Sequence, residues 1–122
     1  MRKTISIVIP VFNEEENLRE FYTRLTKVMS EVSYDYDIIF VDDGSRDASS
    51  AILYDLSQND EHVQAYLLSR NFGHQMALTC GLDHAEGDAV ITMDGDLQHP
   101  PELIPELLGL WEAGYEIVQT VR

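Results

Sequence analysis

Apolar positions along this chain alternate between two spacings, and the switches mark out its elements. Ile5, Ile7, Val8, Ile9 and Val11 form a nearly continuous β-branched run, the pattern of a strand buried on both faces. Pro10 would remove a ladder hydrogen bond in mid-strand, so the strand is expected to end about there. Asn13 is a natural N-cap, with Glu14, Glu15 and Glu16 as first-turn acids. The spacing then becomes helical: Leu18, Phe21, Tyr22, Leu25, Val28, Met29 and Val32 recur every three or four residues, a core-facing stripe. A second strand is predicted over 37–41, followed by a helix carrying Ile52, Leu53 and Leu56 and capped by Ser45 or Asp47. A third strand is predicted over 63–68. The helix from His74 to about His84 is expected to turn Met76, Ala77, Cys80 and Gly81 inward, and Gly81 in mid-helix implies close packing against a neighbour.

Ala89 to Met93 reads as the fourth strand. After the Pro100-Pro101 break comes a helix with Leu103, Ile104, Leu107, Leu108 and Trp111, and then a fifth strand over 116–121. Strands and helices alternating in this way predict an α/β fold: a doubly wound, mostly parallel sheet in three αβα layers, without internal repeats.

Chemistry gathers where the strand patterns stop. The fourth run ends on Asp94-Gly95-Asp96, two carboxylates delivered to one point, with Gly95 expected to let the chain bend there. Hard oxygen ligands so placed suit Mg²⁺ or Mn²⁺, which keep positions open for water or phosphate oxygens. No glutamate stands where an EF-hand loop would need one. The second run ends on Asp42-Asp43, at the carboxyl end of a parallel strand, where open α/β sheets bind ligands.

Composition narrows the partners. A chain of 122 residues with 44% apolar content is expected to be one globular domain. A formal charge of −14 argues against nucleic acid and against this segment alone adhering to an anionic membrane. An anionic nucleotide bound here would therefore rely on metal and backbone N–H groups. The single cysteine, Cys80, excludes an internal disulfide and favours the cytosol. No signal peptide or membrane span is seen. The last strand pattern runs out at Arg122 without a following loop, and the chain is expected to be the N-terminal part of a longer enzyme.

Taken together, Ile9-Pro10-Val11-Phe12-Asn13-Glu14, Val41-Asp42-Asp43-Gly44-Ser45, Arg70-Asn71-Phe72-Gly73 and Asp94-Gly95-Asp96-Leu97-Gln98-His99-Pro100 resemble the family 2 glycosyltransferases of GT-A fold. The resemblance extends over essentially the whole chain. The last two segments look most like the polyprenyl-phosphate subgroup, the dolichol-phosphate mannose synthases and bactoprenol glucosyltransferases. It implies a UDP- or GDP-hexose donor in a Rossmann-like nucleotide-binding half. Pro10, Val11, Asn13 and Glu14 would line the base and ribose pocket, with Asp42, Asp43 and Arg70 on the nucleotide side. Asp96 would be the direct Mg²⁺ or Mn²⁺ ligand, Asp94 would share the ion or meet the ribose, and Gln98 would lie adjacent. Arg122 would face the phosphate of a lipid-phosphate acceptor, while His74 and His99 read as polar rim. Transfer would invert the anomeric carbon without a strong base. A homo-oligomer is compatible with this reading. The expected location is the cytoplasmic face of the membrane, in cell-envelope synthesis, reached through regions outside this chain.

Two alternatives stay open: a sugar-hydroxyl acceptor, and a non-catalytic nucleotide-binding fragment. Other classes fit less well. A response-regulator receiver needs its acid pair after the first strand and a lysine at the end of the fifth, whereas the lysines here are Lys3 and Lys27. A dinucleotide oxidoreductase would need Gly-x-Gly-x-x-Gly after the first strand, a P-loop NTPase Gly-Lys-Ser/Thr, and a nucleotidyltransferase a Gly-rich first loop.

Overall fold

A computed structural model describes residues 2–96 and 100–114. The β-branched runs become strands β1 (Thr4–Val11), β2 (Asp35–Asp42), β3 (Val63–Leu67) and β4 (Ala89–Thr92). Between them lie helices α1 (Leu18–Glu31), α2 (Ser49–Asn59) and α3 (His74–His84). After β4 a 3₁₀ turn at Pro101–Leu103 leads into α4 (Ile104–Glu112). The four strands are parallel, in the order β3-β2-β1-β4.

Alternation along the strands builds two cores. Ile5, Ile7, Ile9 and Val11 of β1 join Ile38 and Phe40 of β2 on one face, under α1, α2 and α4. Val8, Ile39 and Val41 face the other way, against Ala77 of α3. Helices on both faces make the sheet three-layered and doubly wound, as expected from the sequence. The predicted stripe on α1 is core: Leu18, Phe21, Leu25, Val28 and Met29 are all buried.

β1 ends at Val11, one residue past Pro10 and so about where the sequence puts it, and Val11 pairs with Asp42. Val8 accepts the Met93 N–H at 3.0 Å, so Val8 and, two residues on, Pro10 turn their main chain toward β4. That ladder has ended at Thr92, and the missing proline N–H costs no bond. Asn13 does not cap α1, whose N-cap is Asn17; it adopts a left-handed φ of 52° instead. Ser45 does not cap α2. Nor does Asp47: the N-cap is Ala48, without a side-chain cap bond, and Asp47 one residue earlier accepts the Ser49 N–H at 2.8 Å through Oδ1. Met76 is 55% exposed, because Ala77 and Gly81 take the inward face of α3. Gly81 is as tightly packed as its position implied, since a Cβ there would lie 2.3 Å from Val8 Cγ1. Gly95 does not relieve a clash: its φ is not positive, and a Cβ would make only ordinary contacts with Ile9, Val11 and Leu18 at 3.5–3.8 Å. The predicted fifth strand lies outside the described residues.

At the amino end of the sheet, Asp60 gathers polar groups from three elements. Its carboxylate accepts the Tyr22 hydroxyl at 2.6 Å and the His62 N–H at 2.9 Å, and meets His62 Nδ1 at 2.9 Å. The His62 ring stacks on Tyr36 at 4.3 Å. Burial and then the Asp60 bond push the Tyr22 phenol up to about 12. Burial alone would lift the Asp60 carboxyl, but the bonds from Tyr22 and His62 hold it below the usual carboxylate range. A depressed carboxyl contributes stability above its unfolded pKa, near ~4, and loses it as pH falls through the folded value. Tyr22→Phe should therefore cost about 1–2 kcal/mol at neutral pH, with the cost shrinking below about pH 4. Urea denaturation at neutral and acid pH measures both.

Candidate functional site

Parallel strands deliver their carboxyl ends to one rim, and register fixes what meets there. Asp42 pairs with Val11, and Gly95 lies on the other side of Val11, near both Val11 and Ile9. Asp42, Val11 and the Asp94-Gly95-Asp96 turn thus form one row across β2, β1 and the end of β4. It spans two inter-strand spacings, roughly 10 Å. Strand order reverses between β1 and β4, the position where open α/β sheets bind ligands. Met93 and Gly95 are buried, while Asp94 and Asp96 are half-buried.

The two acids ending β2 are 2% and 3% exposed, and pleat alternation separates their tasks. Asp42 serves the loop after its own strand: its carboxylate accepts the Ser45 hydroxyl and, at 3.2 Å, the Ser45 N–H. Asp43 reaches across to the loop before α3, accepting the Phe72 N–H at 2.8 Å and the Gly73 N–H at 3.1 Å. Gly44, at φ +69°, lets that loop pass. A Cβ on Gly44 would stand 2.2 Å from the Arg70 carbonyl carbon.

The β1–α1 and β2–α2 loops are stitched together along their length. Ser45 Oγ accepts the Asn13 N–H at 2.9 Å, and Asn13 Oδ1 accepts the Arg46 N–H at 2.8 Å. Ser49 Oγ accepts the Glu14 N–H at 2.8 Å, and Asp47 accepts the Glu15 N–H at 3.2 Å. Glu14 also accepts the Asn17 amide at 3.1 Å.

Between this edge and α3 opens a cleft of about 190 Å³, lined by Pro10, Val11, Phe12, Asp43, Asn71, Gly73, His74 and Ala77. Of the residues singled out in the sequence as nucleotide-binding, Pro10, Val11 and Asp43 line it. Asn13, Glu14 and Asp42 instead brace the adjoining loops, and Arg70 lies over the Phe72 ring at 4.6 Å. His74 stands on the cleft wall, consistent with a polar rim. Gln98, His99 and Arg122 lie outside the described residues. Asn71 and Gly73 belonged to a quoted motif but carried no assigned role. Phe12 stood in the Ile9–Glu14 segment and Ala77 on the inward face of its helix, neither with a role at the site, and Ser49 gave no signal at all.

Among the described residues, no three His, Cys, Asp or Glu side chains group closely enough to hold an ion by themselves. Two half-buried carboxylates at the end of β4 are a donor set that fits Mg²⁺ or Mn²⁺ only if water and ligand phosphates complete the shell. The site suits an ion that arrives with, or receives, a polyphosphate. Among the described residues no helix is long and apolar enough to cross a membrane.

The model of the family described as Glycosyl transferase family 2 matches residues 6–122. An uncharacterized glycosyltransferase of Bacillus subtilis (strain 168), YkcC, is 50% identical over 117 residues, covering 96% of this chain and 36% of the relative. The undecaprenyl-phosphate 4-deoxy-4-formamido-L-arabinose transferase of Pseudomonas fluorescens (strain SBW25) is 48% identical over 119 residues, 97% of this chain and 35% of that protein. The chain thus spans about a third of the length of these relatives. Among solved structures, the mannosyltransferase PcManGT from Pyrobaculum calidifontis, in complex with GDP-Man and Mn²⁺, superposes with a TM-score of 0.71 at 19% identity. The match covers 88% of this chain and 32% of that one, and shows a shared fold.

Proposed function

The chain belongs to glycosyl transferase family 2, and on that premise we propose that it is the donor-binding part of an inverting transferase. The donor is a UDP- or GDP-linked hexose, and the acceptor a polyprenyl phosphate. The observation that carries this reading is the row Asp42–Val11–Gly95 beside the cleft. The cleft lined by Pro10, Val11 and Asp43 and the two half-buried carboxylates after β4 share this rim, which supports a nucleoside in the first and a cation-bound diphosphate at the second. Support for the nucleotide-sugar donor comes from family membership, and for the lipid phosphate from the name of the Pseudomonas relative.

In this reading Pro10, Val11 and Asp43 contact the nucleoside, and Asn13, Glu14 and Asp42 keep the rim of its pocket in place. Asp94 and Asp96 would hold Mg²⁺ or Mn²⁺. The bound ion supplies a Lewis acid for the charge that develops on the leaving group. The acceptor oxygen forms its bond to the anomeric carbon as the carbon–oxygen bond to the diphosphate breaks on the opposite face, and the centre inverts. A phosphate monoester with a second pKa near ~6 is largely dianionic at neutral pH, so a lipid phosphate needs no carboxylate base to deprotonate it. The work falls at the cytoplasmic face of the membrane, where such donors and acceptors meet.

The direct test incubates the intact protein with UDP- or GDP-hexose, polyprenyl phosphate and Mn²⁺. Transfer of sugar into the lipid fraction with inverted anomeric configuration, read by NMR, is expected. Hydrolysis alone, or transfer only to a sugar hydroxyl, would reject the lipid-phosphate acceptor.

A further inference from the structure

One hydroxyl sits where the two rim loops join. We propose that Ser45 is a positioning residue that couples Asp42 to Asn13 and so sets the shape of the donor rim; the inference rests on the donor-binding reading above. Ser45 Oγ donates its single proton to Asp42 and accepts the Asn13 N–H at 2.9 Å. The direction is fixed chemically, because an ionised carboxylate only accepts and an amide N–H only donates. Asp42 is buried, so its carboxylate depends on such partners to offset desolvation.

The far end of this relay is an unusual backbone. Among the described residues Asn13 is the only non-glycine with positive φ, at 52°, a conformation that persists where surrounding bonds determine it. Three neighbouring bonds do so: Asn13 N–H to Ser45, Arg46 N–H to Asn13 Oδ1, and Glu14 N–H to the fully buried Ser49. Of these, the Ser45 bond alone ties the Asn13 turn to the end of β2. Phe12, the residue before this turn, lines the cleft. Displacing the turn therefore moves a cleft wall without removing any group that touches a ligand. In the sequence Ser45 stands as a helix-cap candidate and as the last residue of the Val41–Ser45 segment, with no role at the site; the N-cap of α2 is Ala48.

The test measures Kd for UDP and GDP with Mn²⁺, the melting temperature, and hydrogen exchange at the Asn13 amide. Ser45→Ala should weaken binding of whichever nucleotide the parent prefers about tenfold and speed Asn13 exchange. Ser45→Thr, which keeps the hydroxyl, should stay within about threefold of the parent. A merely structural serine would lower the melting temperature and leave the Kd of the folded protein unchanged, and that result would overturn the proposal. So would a Thr variant as weak as the Ala variant. If Ser45→Ala fails to fold, Ser45→Cys keeps the volume with a poorer donor: weakening of threefold or more is expected, and parental affinity would overturn the assignment. A parent that binds neither nucleotide rejects the donor-binding reading itself, an outcome distinct from a parent that binds and a Ser45→Ala variant that binds equally well.

Discussion

Replacing Asp94 and Asp96 together with alanine should abolish the dependence of nucleoside diphosphate binding on divalent cation. In the parent, Mn²⁺ is expected to tighten binding at least ~100-fold, equivalent to about 2.7 kcal/mol. The variant should bind with the parent's metal-free affinity whether or not the ion is present. The reason lies in the donor set: the end of β4 offers two half-buried carboxylates, and no group of three possible ligands exists among the described residues to take over. The carboxylates left at this rim, Asp42 and Asp43, are engaged with Ser45 and with the Phe72 and Gly73 N–H groups. A melting curve of the same variant checks that the fold is kept. Calorimetric titration at several Mn²⁺ concentrations separates this outcome from a general loss of binding.

Gly44→Ala should damage both the fold and the site. The new methyl would stand 2.2 Å from the Arg70 carbonyl carbon and 2.4 Å from the Asn71 nitrogen. Both are backbone atoms that no rotamer change can move aside. The positive φ of 69° adds a penalty of its own. Together these should cost about 3 kcal/mol or more. The strained part is the loop that Asp43 holds through Phe72 and Gly73, and Asn71 and Gly73 line the cleft. Binding measured on the folded fraction should therefore weaken as well. A melting curve and a titration on the same sample check the two effects, and a variant as stable as the parent would show that this close approach is not obligatory.

Fold and site were legible to different depths, for physical reasons. Burial on both faces leaves strands such as β1 nearly unbroken in β-branched residues, and an amphipathic helix such as α1 must repeat at 3.6 residues. The parallel, doubly wound sheet and the inward face of α1 followed from those two constraints; the strand order did not. Caps were harder. Asn13 looked like a cap because asparagine suits that role, but asparagine also suits the left-handed backbone it adopts. At the site, acids at strand ends could be placed on the rim from the sequence. Their division of labour could not, because the Asp43 bonds cross 29 and 30 residues of chain. The same distance hid Ser49, whose hydroxyl serves a loop 35 residues away.

The most direct measurement is a titration of the parent protein with UDP and GDP, in the presence of Mn²⁺ and again in excess chelator. Tight binding of one nucleotide with Mn²⁺, lost on chelation and absent for the matching nucleoside monophosphate, is the expected result. Equal affinity with and without the ion, or no preference for diphosphate over monophosphate, would contradict a cation-held diphosphate at the end of β4.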